Sequence, residues 1–179
     1  MIYDINAHVD NTARDILRKL RYELVHDMER INYTFKIFRR IMNDAEKIYK
    51  IVNEFNEVQG RYLDNGRSFA KYIRMYTHFS KMAKKREKKI WQRAQSANVD
   101  VYGYPALYGI EDKEPAIVRV IPRNIKHFHV EYVYHMNTGI VTIRINDQLK
   151  TFSVSFIKRV KDIVSYDTIL EINSIEVET

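Results

Sequence analysis

Between residues 10 and 58 apolar side chains return at every seventh position: Leu17, Leu24, Ile31, Phe38, Ala45 and Val52. Ala13, Leu20, Met28, Phe35, Met42, Ile48 and Phe55 fill in beside them, and the stretch holds neither Pro nor Gly. A strict seven-residue repeat drifts by about 20° per heptad on a straight helix, so it favours supercoiling against a partner. The pattern predicts a long helix with an apolar seam. Asn43-Asp44-Ala45-Glu46 resembles a capping box, so the pattern fits either one helix or two that meet there. Leu17, Leu24, Ile31 and Phe38 on the seam are the candidate protein-interface residues.

A second helical pattern covers residues 67–93. Phe69, Tyr72, Ile73, Tyr76, Phe79, Ala83 and Ile90 recur on one side, and Arg67, Lys71, Arg74, His78, Lys81, Lys85 and Lys88 on the other. Asp64-Asn65-Gly66 reads as the turn before it, with Asn65 or Ser68 as cap. Residues 1–97 are therefore expected to form a helical hairpin. An unbroken helix over 10–58 would run about 70 Å, against about 45 Å for 67–97. The leftover seam must meet a sheet, bend at Asn43, or meet another subunit. A homo-oligomer or larger protein assembly is the expectation.

The period then changes from helical to two. Pro105, Pro115, Pro122, Gly103 and Gly109 cluster at the transition, so 98–116 reads as a linker or loop with tyrosines. Residues 117–179 read as a sheet region packed on the helices. The predicted strands are 116–121, 127–136, 140–146, 149–157 and about 168–178, with Asn137-Thr138-Gly139 and Asn146-Asp147-Gln148 as hairpin turns. Phe128, Val130, Tyr132, Tyr134 and Met136 share one face; Val141, Ile143, Ile145, Phe152, Val154 and Phe156 supply matching faces on neighbours. The expected class is α+β: a hairpin of two to three helices followed by an antiparallel meander of about five strands.

Charge singles out one segment. Residues 67–93 hold ten Lys or Arg and one acid, Glu87, whereas 1–66 balance eleven basic against eleven acidic groups. The formal net charge of +7 therefore originates in the second helix. Lys and Arg at helical spacing suit the backbone of DNA or RNA, because each neutralised phosphate releases counterions. Arg67, Lys71, Arg74, Lys81, Lys84, Lys85, Lys88, Lys89 and Arg93 are the candidate polyanion-binding residues. An acidic protein, an anionic membrane surface or plain solvation are the competing readings. Tyr76, Phe79 and Trp91 fall on the inner side by phase, so no stacking platform is expected from them.

The remaining chemistry is sparse. With no cysteine, disulfides and thiolate–metal sites are excluded. His127, His129 and His135 alternate toward the outer face of one strand with Glu131, and are weak metal candidates. Same-face positions lie about 7 Å apart, so a site would need ligands from another strand, and no bound metal is expected. Asp100 followed by Glu111-Asp112-Lys113 has a nuclease-like order but the wrong, loop-rich context. Phosphate-binding, nucleophile-elbow and dinucleotide motifs are absent, so neither catalysis, a cofactor nor a small-molecule substrate is expected.

Residues 1–10 have neither a basic n-region nor an apolar h-region, and no apolar run reaches the roughly 20 residues of a membrane span. A cytoplasmic or particle-borne protein is expected rather than a secreted one. A chain rich in Ile, Asn, Lys and Tyr suits an AT-rich viral genome. The functional expectation is a structural or accessory component of a viral particle, with a cationic helix that docks on a polyanion. A free nucleic-acid-binding regulatory or processing factor is the alternative, and a metal-dependent hydrolase the outside candidate.

Overall fold

The structure, a computed structural model, describes residues 5–64, 69–104 and 116–172, with side chains of the first helix described over 11–60. It is an α+β fold in which two long helices precede a five-stranded antiparallel sheet. Helix α1 (Ile5–Asp64) is unbroken, about 90 Å long at 1.5 Å per residue. Of the two possibilities for this stretch, one helix or a break at Asn43, the structure has the single helix. Asp44 is buried and engaged with Arg93 of the second helix, so its carboxylate serves tertiary pairing rather than a cap.

Helix α2 (Phe69–Ala97) returns alongside α1. Phe55 meets Tyr72, Tyr76 and Phe79 near the turn, Asp44 meets Arg93 midway, and Arg30 donates to the Ala97 carbonyl at the far end. The inward positions of α2 are Ala83, Ile90, Ala94 and Ala97. Three of these are seven residues apart, matching the heptad seam of α1. Asn98 ends the helix in the left-handed region at φ 54°. Phe69 and Ile73, expected inside, are exposed. Asp64, read as the first residue of the turn, is the last of α1, and Asn65, Gly66, Arg67 and Ser68 lie outside the described residues.

Strands β1 (Val99–Tyr102), β2 (Ile117–Pro122), β3 (Val130–His135), β4 (Ile140–Ile145) and β5 (Gln148–Ser153) form a meander in chain order. β1 lies within the stretch read as linker, where its alternation is too short to stand out. Gly103 follows it at φ +72°, and a Cβ there would sit 2.9 Å from the Ile117 carbonyl oxygen. Only glycine tolerates both the backbone angle and the approach.

The sheet lies along α1 because the two rises match. From Lys126 beside Asp27 to Asn137 beside Tyr49, the chain advances eleven residues at about 3.3 Å while α1 advances twenty-two at about 1.5 Å. Tyr132 stacks on Phe38 and meets Phe35 edge-on, and its hydroxyl donates to the Ile31 carbonyl at 2.8 Å. Phe128, Val130, Tyr132, Tyr134 and Met136 are all buried, with Val141, Ile143 and Ile145 beside them.

Two expected strands are partly helical. Residues 154–159 form α3 (Val154–Arg159), because the Ser153 hydroxyl caps the Phe156 amide. Phe152 and Phe156 satisfy both a period of two and a spacing of four, and the cap selects the helix, leaving their rings stacked at 5.4 Å. Residues 166–172 form α4 (Tyr166–Ile172), begun by Ser165 accepting from the Thr168 amide. The rest of the stretch read as 168–178 lies outside the described residues. Asn32 of α1 clamps the connection by accepting from the amides of Ile163 and Val164.

Leu24, Ile31 and Phe38 are thus enclosed by this chain's own sheet and terminal helices. Leu17 is 43% exposed and the neighbouring Ile16 63%, on turns of α1 that project past the end of α2.

Candidate polyanion-binding surface

The cationic side chains of α2 stand where helical phase puts them. Lys71, Arg74, Lys81, Lys84, Lys85 and Lys88 are exposed, and none is ion-paired to another described residue. Lys71 to Lys88 spans about 26 Å of helix. The last two candidates differ. Lys89 is half-buried in an open groove between the helices, lined also by Tyr33, Ile37, Arg40 and Gln92. Arg93 donates from Nε to Asp44 Oδ2 at 3.1 Å, and Arg86 approaches the same carboxylate at 3.9 Å. Arg93 is therefore a brace of the hairpin, with about a third of its side chain exposed.

Helix α1 adds cations that charge counting hides. Lys36, Arg40, Lys47 and Lys50 are exposed at spacings of four, seven and three, which places them on one side of the helix. Arg40 shares the groove with Lys89, so this side borders α2. Four acids of α1 are turned inward, while Asp15, Glu29, Glu54 and Glu57 stay exposed. Asp27 and Asp44 are buried, Glu23 binds Lys126 and His127, and Glu46 binds Lys158 and Tyr134. Over residues 11–60, eight cations are exposed against four acids, so a balanced composition folds into a surface with a cationic excess. Its legible signal was the spacing of Lys36, Arg40, Lys47 and Lys50, once the buried seam is known.

The histidines do not converge. His127 Nε2 lies 2.6 Å from Glu23 Oε2, His129 is exposed, and His135 pairs across the sheet with Ile117 and Ile140. Among the described residues no group of three His, Asp or Glu side chains is placed to hold a metal ion. Asp100 forms a two-pronged bridge to Arg123, at 2.7 and 2.9 Å. Glu111, Asp112 and Lys113 lie outside the described residues.

Hydrogen bonds from Lys126 and then His127 hold the Glu23 carboxyl far below its ordinary 4.5, at about 2. A depressed carboxyl contributes stability above its unfolded value and loses it as pH falls through the folded one. The difference in melting temperature between the parent and Glu23→Gln is therefore expected to hold at about pH 5 and to shrink between about 4.5 and 2. Thermal scans by circular dichroism across that range check it. A difference that stays constant down to pH 2 would show that the charge of Glu23 contributes nothing.

Among the described residues no helix is long and apolar enough to cross a membrane. Compared with known proteins, the chain matches no family model, no curated protein and no solved structure.

Proposed function

We propose that the protein is a non-catalytic binding and assembly protein, of the kind that serves as a structural or accessory component of a viral particle, and that its helical hairpin docks on the phosphate backbone of nucleic acid. The observation that carries this reading is the row of exposed cations on α2 with no ion-pair partner among the described residues, widened by Lys36, Arg40, Lys47 and Lys50 of α1. Crowding like charges on one surface costs self-repulsion, which a polyanion relieves. The groups best suited to acid–base chemistry support binding rather than catalysis, because Asp27, Asp44, Glu46 and Tyr132 are all committed to structural bonds. Ile16 and Leu17, exposed on the projecting turns of α1, support the assembly half of the reading.

Salt dependence tests it. If about six cations meet phosphates, log affinity should fall against log salt with a slope of about −5 to −6, each neutralised phosphate contributing roughly −0.9 on duplex. Lys81→Ala with Lys85→Ala should lessen that slope by about two units and weaken all sequences alike. Both side chains are exposed, so the fold survives the change. Affinity indifferent to salt, or a double variant that binds as well as the parent, would reduce the stripe to a solvated face.

A further inference from the structure

Trp91 does not lie with Tyr76 and Phe79 on the inner side of α2. It is 46% exposed and stands three residues after Lys88 and seven after Lys84, on the same helical stripe. The rise from Lys84 to Lys88 is about 6 Å, and from Lys88 to Trp91 about 4.5 Å. The indole is also held in place. Its Nε1–H donates to the Tyr104 hydroxyl at 2.9 Å, and that hydroxyl donates to Glu87 Oε1 at 2.7 Å. The two rings meet at 85°, and Glu87 belongs to α2 itself, one turn before Trp91.

This arrangement satisfies the only polar group of the indole and leaves an ordered aromatic surface beside two exposed ammonium groups. A ring already fixed in orientation loses little freedom when another ring stacks on it. The matching ligand is a flat π-system tethered to phosphates at short spacing. Bases within a duplex are stacked on one another and closed to an indole, whereas those of a single strand are open. We infer that the hairpin binds single-stranded nucleic acid, with an unpaired base stacked on Trp91 and the flanking phosphates on Lys84 and Lys88. This inference rests on the proposed polyanion-binding reading and narrows it to one class of ligand.

Trp91 is the only tryptophan in the chain, so intrinsic fluorescence reports on this site alone. The probes are a short oligothymidine, a duplex of equal length and inorganic polyphosphate, which has charge but no bases. Oligothymidine is expected to quench the emission and to bind about tenfold or more tighter than duplex. Polyphosphate is expected to bind without comparable quenching. With labelled oligothymidine followed by anisotropy, Trp91→Leu should lose affinity roughly five- to hundredfold, Trp91→Tyr should recover most of it, and polyphosphate binding should be unchanged. Equal binding of oligothymidine and duplex without quenching, or a Trp91→Leu protein that binds oligothymidine like the parent, overturns the inference. If duplex and polyphosphate still bind in that case, the cationic surface stands; if none of the three binds, both readings fall.

Discussion

Ile31→Asn is expected to remove about 4–6 kcal/mol of stability, a large share of the 5–15 kcal/mol available to a domain. Ile31 is fully buried, and Tyr132 from the sheet closes on its carbonyl. Truncating a buried aliphatic group costs about 2–5 kcal/mol, and an amide without partners there adds about 1–3 kcal/mol. The Ile31→Val control removes one methylene and should cost about 1 kcal/mol. Urea denaturation followed by circular dichroism gives both values. The result also identifies what the seam faces. Against the chain's own sheet, the loss should be independent of protein concentration; against a second copy, the variant would dissociate on dilution with its fold intact. A stable Ile31→Asn protein at any concentration would mean that α1 does not pack as described.

The parts of the fold legible in the sequence are those with long, unambiguous periods. The seven-residue repeat of α1 and the alternation of Phe128 through Met136 each commit many residues to one face, and chance rarely imitates that. Short elements are different. Val99–Tyr102 offers four residues, too few for a period, and becomes a strand because Ile117–Pro122 pairs with it. Val154–Arg159 and Tyr166–Ile172 are short enough for apolar spacing to fit either period, so single hydroxyls at Ser153 and Ser165 decide.

Side-chain orientation on α2 was legible only in part. Its cations are charged and long, and seek water wherever phase allows. Its aromatic residues split: Tyr76 and Phe79 pack on Phe55 toward the Asp64 end of α1, while farther along Ala83, Ala94 and Ala97 line the contact with α1. Small side chains there let the helices approach closely. Trp91 lies about 100° around the helix from Ile90, in phase with Lys84 and Lys88, and so stands outward. The cationic excess of α1 was hidden in a different way, because a charge balance assigns every residue equal exposure, whereas α1 turns inward half of its described acids and only two of its ten described cations.

Asp27 is the clearest case of that selectivity, and Asp27→Ala is expected to cost about 2–4 kcal/mol. Its carboxylate is almost wholly buried and accepts the backbone N–H groups of Lys126 and His127, each at 2.8 Å, where the chain enters β3. Bonds to a charged acceptor are worth about 1.5–3 kcal/mol each, and alanine leaves both donors without it. The full sum is not reached, because the open pocket beside Tyr22, His26 and Asn124 admits water to the vacated donors. Asp27→Asn keeps one acceptor oxygen and should lose about half as much. Hydrogen exchange gives a local readout: the Lys126 and His127 amides should lose protection in Asp27→Ala while those of β4 keep theirs relative to global stability. If both amides stayed protected and the melting temperature did not change, Asp27 would not anchor the sheet to α1.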